Sequence, residues 1–195
     1  MQSIFIAAKN NNTLKIKKLT ERNSSINLRN EQQQTPLMVA TYNNNIEAAK
    51  LLIKPGADVN AQDNRLETPI LHAGAAGYYE ILNACLGTDN VNFLKLNRYG
   101  GTALIPACER GHVKIVKRLL KIENFPVDHI NNLGWTALLV TVILGDGTQK
   151  YIDIVQMLIE AGCNIYIADK DGVTALEHAQ KSGFTEMVNL LKANG

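Results

Sequence analysis

The chain of 195 residues contains no long uninterrupted apolar stretch. Nothing in it approaches the roughly 20 apolar residues that a membrane-spanning helix needs. The apolar segment at residues 4–8 ends at Lys9 and follows no basic residues, so it does not fit a secretory signal peptide. We therefore expect neither a membrane partner nor secretion.

Cysteine is scarce, with three residues at Cys85, Cys108 and Cys163. Their number is odd and their spacing matches no metal site. All three occupy positions suited to small core or near-core residues, so we expect reduced thiols. This usage favours a reducing compartment, and we expect a cytoplasmic protein.

An excess of charge of either sign is also absent, because 20 Lys and Arg against 18 Asp and Glu leave a net charge of +2. A local basic stripe does occur, at Arg110, Lys114, Lys117, Arg118 and Lys121. Such a stripe could bind phosphate or could simply be a solvated helix face. No aromatic residues interleave it and the total charge is small, so we favour the solvated face and expect no nucleic-acid partner.

What the sequence does contain is a repeated pattern, seen most fully at residues 100–120, GGTALIPACERGHVKIVKRLL. A Gly-Thr turn leads into an apolar helix, a pause follows at Gly111 and His112, and apolar residues then resume at helical spacing. The pattern recurs at five anchor threonines, separated by 33, 34, 34 and 38 residues: Thr35, Thr68, Thr102, Thr136 and Thr174. A degenerate sixth copy begins near Ser3.

A unit this short cannot bury its apolar faces alone and must stack on similar units. The sequence therefore predicts an all-α chain of about six stacked helix–turn–helix units. No change of composition marks a linker, so we expect one domain over residues 1–195, with repeats near 1–30, 31–63, 64–97, 98–131, 132–169 and 170–195. The predicted core includes Leu52, Leu82, Val116, Leu119, Leu120, Val155, Leu158 and Leu190.

The segments TPLMVA, TPILHA, TALIPA, TALLVT and TALEHA, each followed by an apolar second helix, resemble the ankyrin repeat. The resemblance covers essentially the whole chain. It implies a solenoid whose helix pairs are joined by extended, finger-like β-turn loops. It also implies a non-catalytic module that binds a partner protein through its concave face and its fingers.

Local signals refine this prediction. Thr at the start of a first helix can accept from unpaired backbone N–H groups, and Pro36 and Pro69 suit the next position. Gly56 and Gly162 suit the left-handed turn that ends a second helix. Pro106 lies far enough into its helix to remove a hydrogen bond, so we expect the fourth repeat to be the least regular.

The longest step between anchors places an insertion at residues 145–150, between the two helices of the fifth repeat. Gly145, Asp146 and Gly147 are of the types found in cation and phosphate loops. The acidic spacing of a calcium loop and the Gly-Lys-Ser/Thr of a phosphate loop are both missing. We therefore expect a tolerated surface loop.

No catalytic constellation emerges from the remaining residues. His72 and His178 occupy the same repeat position but lie three anchors apart, so we expect buried or half-buried, hydrogen-bonded histidines. No Ser, His and acid set, metal-ligand spacing or nucleotide loop is present, and we expect no metal, no cofactor and no enzymatic activity. An enzyme would need its site wholly in the variable repeat positions.

The positions that face partners in the resembled family supply the candidate partner-binding residues: Tyr42, Arg65, Arg98, Tyr99, Arg110, Leu133, Trp135, Ile143 and Leu144. Trp, Tyr and Arg dominate interface energies when they are buried by a partner. We expect those in the fourth and fifth repeats to form the centre of the site. Alternatively, Trp135 folds back on Leu133 and merely covers its finger.

The sequence does not name the partner. We expect a protein that is monomeric when free and binds one other protein. A second interpretation keeps the fold and assigns a bacterial role, in which the chain neutralises a toxin as an immunity protein or targets a host protein as an effector.

Overall fold

The computed structural model describes residues 2–21 and 26–195, so Met1 and residues 22–25 of the first repeat lie outside the described part. The backbone divides into two compact units, one ending at Arg98 and the other comprising Tyr99–Gly195. Apart from a single bridge between Ala168 and Thr174, the described residues form helices, turns and irregular segments. The predicted single domain over 1–195 stays a prediction.

The first unit contains three helix pairs. Its helices are α1 (Gln2–Lys9), α2 (Thr13–Thr20), α3 (Pro36–Tyr42), α4 (Ile46–Ile53), α5 (Pro69–Ala76) and α6 (Tyr79–Leu86). Each odd-numbered helix packs on the even-numbered helix that follows it. The first helices α1, α3 and α5 also pack in sequence, and so do the second helices α2, α4 and α6. Two rows of helices thus enclose the core of this unit.

The second unit repeats this arrangement with three further pairs. Its helices are α7 (Leu104–Glu109), α8 (Val113–Leu119), α9 (Ala137–Leu144), α10 (Gln149–Glu160), α11 (Ala175–Lys181) and α12 (Thr185–Ala193). The row α7, α9, α11 lies against the row α8, α10, α12. The predicted all-α fold of stacked helix pairs is confirmed.

Four of the five anchor threonines cap a first helix as predicted. Each hydroxyl accepts the N–H of the residue three positions later, at 3.1 to 3.4 Å: Thr35, Thr68, Thr136 and Thr174. Pro36 and Pro69 are the first residues of their helices, where the missing N–H costs nothing.

The fourth repeat is the exception, and Pro106 accounts for it. In the fifth repeat the corresponding residue, Val140, donates its N–H to the carbonyl of Thr136 at 3.0 Å. Pro106 has no N–H to donate to Thr102, and α7 begins only at Leu104 and has six residues. The Thr102 hydroxyl is buried and finds no hydrogen-bond partner among the described residues. The predicted irregularity of this repeat is confirmed.

Six of the eight predicted core residues are buried, and the prediction is wrong for Leu120 and Leu190, which are half-buried. Each of these two adjoins a second leucine, Leu119 or Leu191, that is completely or almost completely buried. Successive helical residues point about 100° apart, so only one member of each Leu-Leu pair can face the core.

The insertion in the fifth repeat is shorter as a loop than predicted. Residues 145–148 connect α9 to α10, whereas Gln149 and Lys150 belong to the first turn of α10, which reaches twelve residues. Gly147 has φ +74°, and a Cβ there would lie 2.6 Å from the ring of Phe184. Tyr151 is buried and donates to the Glu109 carbonyl at 3.0 Å. The loop therefore packs on the sixth repeat at Gly147, and Tyr151, which follows the insertion, packs on the fourth repeat.

Truncating the core and the outer face of α8 should have unequal effects. Leu119→Ala removes a completely buried side chain and should lower the free energy of unfolding by about 2–5 kcal/mol. Lys117→Ala, two residues away on the exposed face, should change it by about 0.5 kcal/mol or less. Urea titration followed by circular dichroism measures both, and equal losses would contradict the helix phase.

Replacing threonine by the isosteric valine should distinguish a hydroxyl that caps a helix from one that makes no hydrogen bond. Thr136→Val removes an N-cap and should destabilise the chain by about 0.5–2 kcal/mol. Thr102→Val replaces a buried hydroxyl that makes no bond, so stability should be unchanged or rise. Thermal unfolding of the two variants provides the comparison, and a loss at Thr102 equal to that at Thr136 would refute it.

Candidate binding surface

The finger turns before the first helices are fixed by one side chain each. This residue stands five positions before the anchor and is always Asn or Asp: Asn30, Asp63, Asn97, Asn131 and Asp169. In the fifth repeat, the Asn131 Oδ1 accepts the N–H groups of Leu133 at 2.9 Å and Trp135 at 3.0 Å. The Asn131 N–H also donates to the Trp135 carbonyl at 3.0 Å. Asn30, Asp63 and Asp169 accept equivalent pairs.

A second constraint lies two positions before each anchor, where the backbone is left-handed. The five residues, with φ between +58° and +87°, are Gln33, Leu66, Gly100, Gly134 and Gly172. Glycine adopts this conformation without strain, and at Gly134 a Cβ would also lie 2.7 Å from the Lys170 side chain. In the four fingers that begin at Asn30, Asp63, Asn131 and Asp169, the Asx hydrogen bonds and the left-handed residue together give the same tight turn.

Neighbouring fingers of the first unit are joined by long polar side chains. Arg29 donates to the carbonyls of Gln33 at 2.8 Å and Gln62 at 2.6 Å. One repeat later, Gln62 donates to the carbonyls of Leu66 at 2.9 Å and Leu96 at 2.8 Å. Each side chain thereby holds its own finger and the next one.

The second unit joins its fingers in a different way. The Asn132 N–H donates to the Tyr99 carbonyl at 2.9 Å, and Lys170 donates to the Asn132 carbonyl at 2.7 Å. The His129 Nε2 lies 2.7 Å from the Gly100 carbonyl oxygen. These contacts place the fingers that carry Tyr99 and Leu133 side by side.

Three predicted partner-binding residues lie in the first unit. Arg65 and Arg98 are exposed, whereas Tyr42 is half-buried. The Tyr42 hydroxyl donates to the Asp63 Oδ2 at 2.7 Å, and its ring centroid lies 4.2 Å from that of His72. Burial, followed by this hydrogen bond and the Asp63 charge, raises the pKa of Tyr42. Tyr42 is therefore a fixed, neutral part of the surface.

The other six predicted residues lie in the second unit. Tyr99, Leu133 and Leu144 are 55%, 52% and 47% exposed. Arg110 at the end of α7 is exposed as well, whereas Trp135 and Ile143 are half-buried. These two side chains are only partly accessible to a partner. The Trp135 N–H donates to Asn131, and Thr136 then caps α9. The backbone of Trp135 therefore lies close to the start of this helix.

Sequence reasoning missed Ile130 and Tyr166, which are 49% and 68% exposed in the same unit. Ile130 stands at the repeat position where Arg29 and Gln62 join the fingers of the first unit. An aliphatic side chain cannot donate these hydrogen bonds. Leu96 and Ala168 stand at the same position in the fourth and sixth repeats, so no sequence signal set Ile130 apart.

The two aligned histidines are half-buried, as predicted. The His178 Nε2 lies 2.7 Å from the Asp169 Oδ2. The His72 ring lies between Tyr42 and Tyr78, with its centroid 5.9 Å from the latter. The Val173 N–H and, after it, His178 hold the pKa of Asp169 below its ordinary value. Both histidines are thus engaged in packing and hydrogen bonding within their own units.

Residues 2–21 and 26–195 bring together no group of three His, Cys, Asp or Glu side chains suited to a metal ion. All three cysteines are free, and burial raises the pKa of the Cys85 and Cys108 thiols to about 12. Within the described ranges, none of the helices is long and apolar enough to cross a membrane.

Comparison with known proteins identifies the repeats. The family model for ankyrin repeats, in three copies, matches residues 4–92 and 70–169. The ankyrin repeat protein YahD of Escherichia coli (strain K12) is 46% identical over 100 residues, which cover 51% of this chain and 50% of YahD. The chain thus spans about half the length of this curated relative.

Two solved structures are similar along nearly the whole chain. An ankyrin repeat domain from Acinetobacter baumannii AYE is 48% identical, with a TM-score of 0.95, covering 98% of this chain and 97% of that one. The ankyrin repeat protein EF0377 is 40% identical, with a TM-score of 0.93, covering 97% and 96%.

The carboxylate of Asp169 should stabilise the last finger in two separable ways. Asp169→Asn keeps an acceptor for the N–H groups of Asp171 and Val173, as Asn131 does in the fifth repeat, and loses only the charge beside His178. Asp169→Ala loses both the acceptor for these N–H groups and the charge. At neutral pH, the free energy of unfolding should therefore decrease in the order parent, Asn variant, Ala variant.

The pH dependence of these variants follows from the lowered pKa of Asp169. The stabilisation by its charge is fully present above the ordinary pKa of aspartate and is lost as the pH falls through the lowered value. The difference between parent and Asn variant should accordingly shrink below about pH 4. Urea titrations between neutral and acidic pH test this, and an Asn variant as unstable as the Ala variant would contradict the role of the turn.

Proposed function

The chain belongs to the ankyrin repeat family, whose members are generally protein–protein interaction modules, and from this we propose that it binds a partner protein without catalysing a reaction. The observation that carries the proposal is the pair of neighbouring fingers that display Tyr99 and Leu133. Both side chains are about half exposed, and a backbone hydrogen bond from the Asn132 N–H to the Tyr99 carbonyl joins the two fingers. Apolar groups held in this way are available to a partner at little entropic cost.

The proposed centre of the interface is the second-unit patch, defined as Tyr99, Arg110, Leu133, Trp135, Ile143 and Leu144. Tyr, Trp and Arg are the residue types that most often dominate binding energy. Leu133 and Leu144 are about half exposed, so a partner that covers them would remove apolar surface from water. Arg65, Arg98 and Tyr42 are proposed as additional contacts on the first unit.

The cysteines and the net charge support further proposals about the compartment of the chain and the kind of partner it binds. Free cysteines, two of them buried, fit a reducing compartment, and we place the chain in the cytoplasm. A net charge of +2 gives no support for a nucleic-acid partner. We propose a chain that is monomeric when free, without metal or cofactor.

A second candidate function uses the same surface in a bacterial setting. Two similar proteins, YahD of Escherichia coli and a domain from Acinetobacter baumannii, are bacterial. This supports a bacterial source for the chain, and in that setting we propose as the alternative that it neutralises a toxin or acts on a host protein. Capture of a partner from the native cell separates the two: a toxin or a host protein would support the bacterial role, and a housekeeping protein the general one.

The second-unit patch is tested by two matched truncations once a partner has been captured. Trp135→Ala should weaken binding by about 2 kcal/mol or more, because a half-buried indole covered by a partner loses most of its contact area. Glu31→Ala, on an exposed finger of the first unit, should change the affinity much less. Isothermal titration calorimetry measures the affinities, and circular dichroism checks the fold. If Trp135→Ala binds like the parent or unfolds the chain, the assignment of the patch is wrong.

A further inference from the structure

The first unit contains an open groove of about 300 Å³ that the second-unit patch does not use. It lies between α1, α3 and the finger that precedes α3. Its lining residues are Phe5, Ile6, Lys9, Asn30, Gln34, Val39, Tyr42 and Asn43. Its size suits one large side chain and its immediate neighbours rather than a whole protein domain.

The hydrogen bonds of Asn30 determine which groups face the groove. Its Oδ1 accepts two backbone N–H groups, from Gln32 at 3.0 Å and Gln34 at 2.8 Å, and is thereby identified as the oxygen. The other end of Asn30 is then the NH₂ group, which donates to the Gln34 Oε1 at 3.0 Å. Because the Gln34 oxygen faces Asn30, its NH₂ group remains available as a donor.

The charges around the groove also bear on the kind of ligand group that it can bind. Lys9 is exposed and forms no ion pair with any described residue. None of the eight lining residues is acidic. Two carboxylates outside the lining, Asp63 and Glu67, act on Tyr42 and help to raise its pKa, and Asp63 also accepts the Tyr42 hydroxyl. The groove thus offers an ammonium and an amide donor with no carboxylate of its own, which favours a negatively charged ligand group.

The apolar part of the groove determines the second property of the ligand, which is an apolar side chain. Phe5 and Val39 are half-buried, and Ile6 is 50% exposed. Tyr42, at one wall, is held in place by Asp63 and by the His72 ring. An aliphatic or aromatic side chain of a ligand would cover this apolar surface.

We propose that this groove is a second docking surface for a peptide segment of the partner, and the proposal rests on the protein-binding function above. An apolar side chain of the segment lies on Phe5, Ile6 and Val39. The carboxylate of an adjoining Asp or Glu lies against Lys9 and Gln34. The ligand class is an extended peptide in which an apolar residue neighbours an acidic one.

A phage-displayed library of random peptides, selected on the full chain, tests this without a known partner. The selected sequences should pair an aliphatic or aromatic residue with Asp or Glu at an adjoining position. In fluorescence polarisation with a labelled synthetic peptide, replacing that acid by its amide should weaken binding about fivefold to tenfold. Peptides without acidic residues, or with an amide form that binds equally well, would overturn the proposal.

Matched variants of the chain locate the site. Gln34→Glu keeps the acceptor for Asn30 but replaces the donor by a carboxylate, and should weaken peptide binding about tenfold. Gln32→Glu makes the same change on an exposed residue of the same finger and should have less than a twofold effect. Lys9→Gln and Lys17→Gln provide the same contrast for the ammonium, and equal effects within either pair would overturn the proposal.

The failure of this proposal can be told apart from that of the second-unit patch. Trp135→Ala should leave the affinity for the peptide unchanged, since Trp135 lies in the other unit. Peptides that lose affinity with Trp135→Ala but not with Gln34→Glu would contradict the groove and leave the patch intact.

Discussion

The arrangement depends most on one interaction, the acceptance of two backbone N–H groups by a side-chain oxygen five residues before the anchor threonine. A finger tip is surrounded by water and has no apolar core to hold it, so local hydrogen bonds must define its conformation. Asn131 does this for the turn that carries Leu133 and Trp135, and Asp169 does the same in the last repeat. The left-handed residue that follows closes the turn. Both the start of each first helix and the direction of the exposed side chains are set by this geometry.

The helix pairs supply the rigid base for these turns. Buried leucines such as Leu119 pack α8 against its neighbours, and anchor threonines cap the N-terminal ends of first helices. The fourth repeat shows how much irregularity the arrangement tolerates. Pro106 cannot donate to the Thr102 carbonyl, and the Thr102 hydroxyl has no hydrogen-bond partner among the described residues, yet α7 still packs on α8 and α9. Because the residues around α7 are almost all buried, packing compensates for the missing hydrogen bonds.

Much of this was predictable from the sequence, because the repeat period, the anchor threonines and the prolines each have a local physical meaning. Features that depend on neighbouring repeats were not. The extra turn of α10 follows from the burial of Tyr151 and its bond to Glu109, a residue 42 positions earlier. The partial burial of Trp135 and Leu120 depends on the direction of single side chains, which a helix-period pattern resolves only to about one residue. The donor role of Gln34 required the hydrogen-bond partners of Asn30, which the sequence does not contain.

The central claim is that the fingers are preorganised platforms and not mobile loops. Backbone amide hydrogen exchange in the free chain, resolved by NMR, measures this most directly. The amides of Arg65, Leu133 and Asp171 belong to exposed residues but donate to Asx oxygens, so they should exchange far more slowly than in an unfolded chain. Exchange of these amides at the rate of an unstructured peptide, while the helices stay protected, would contradict the account.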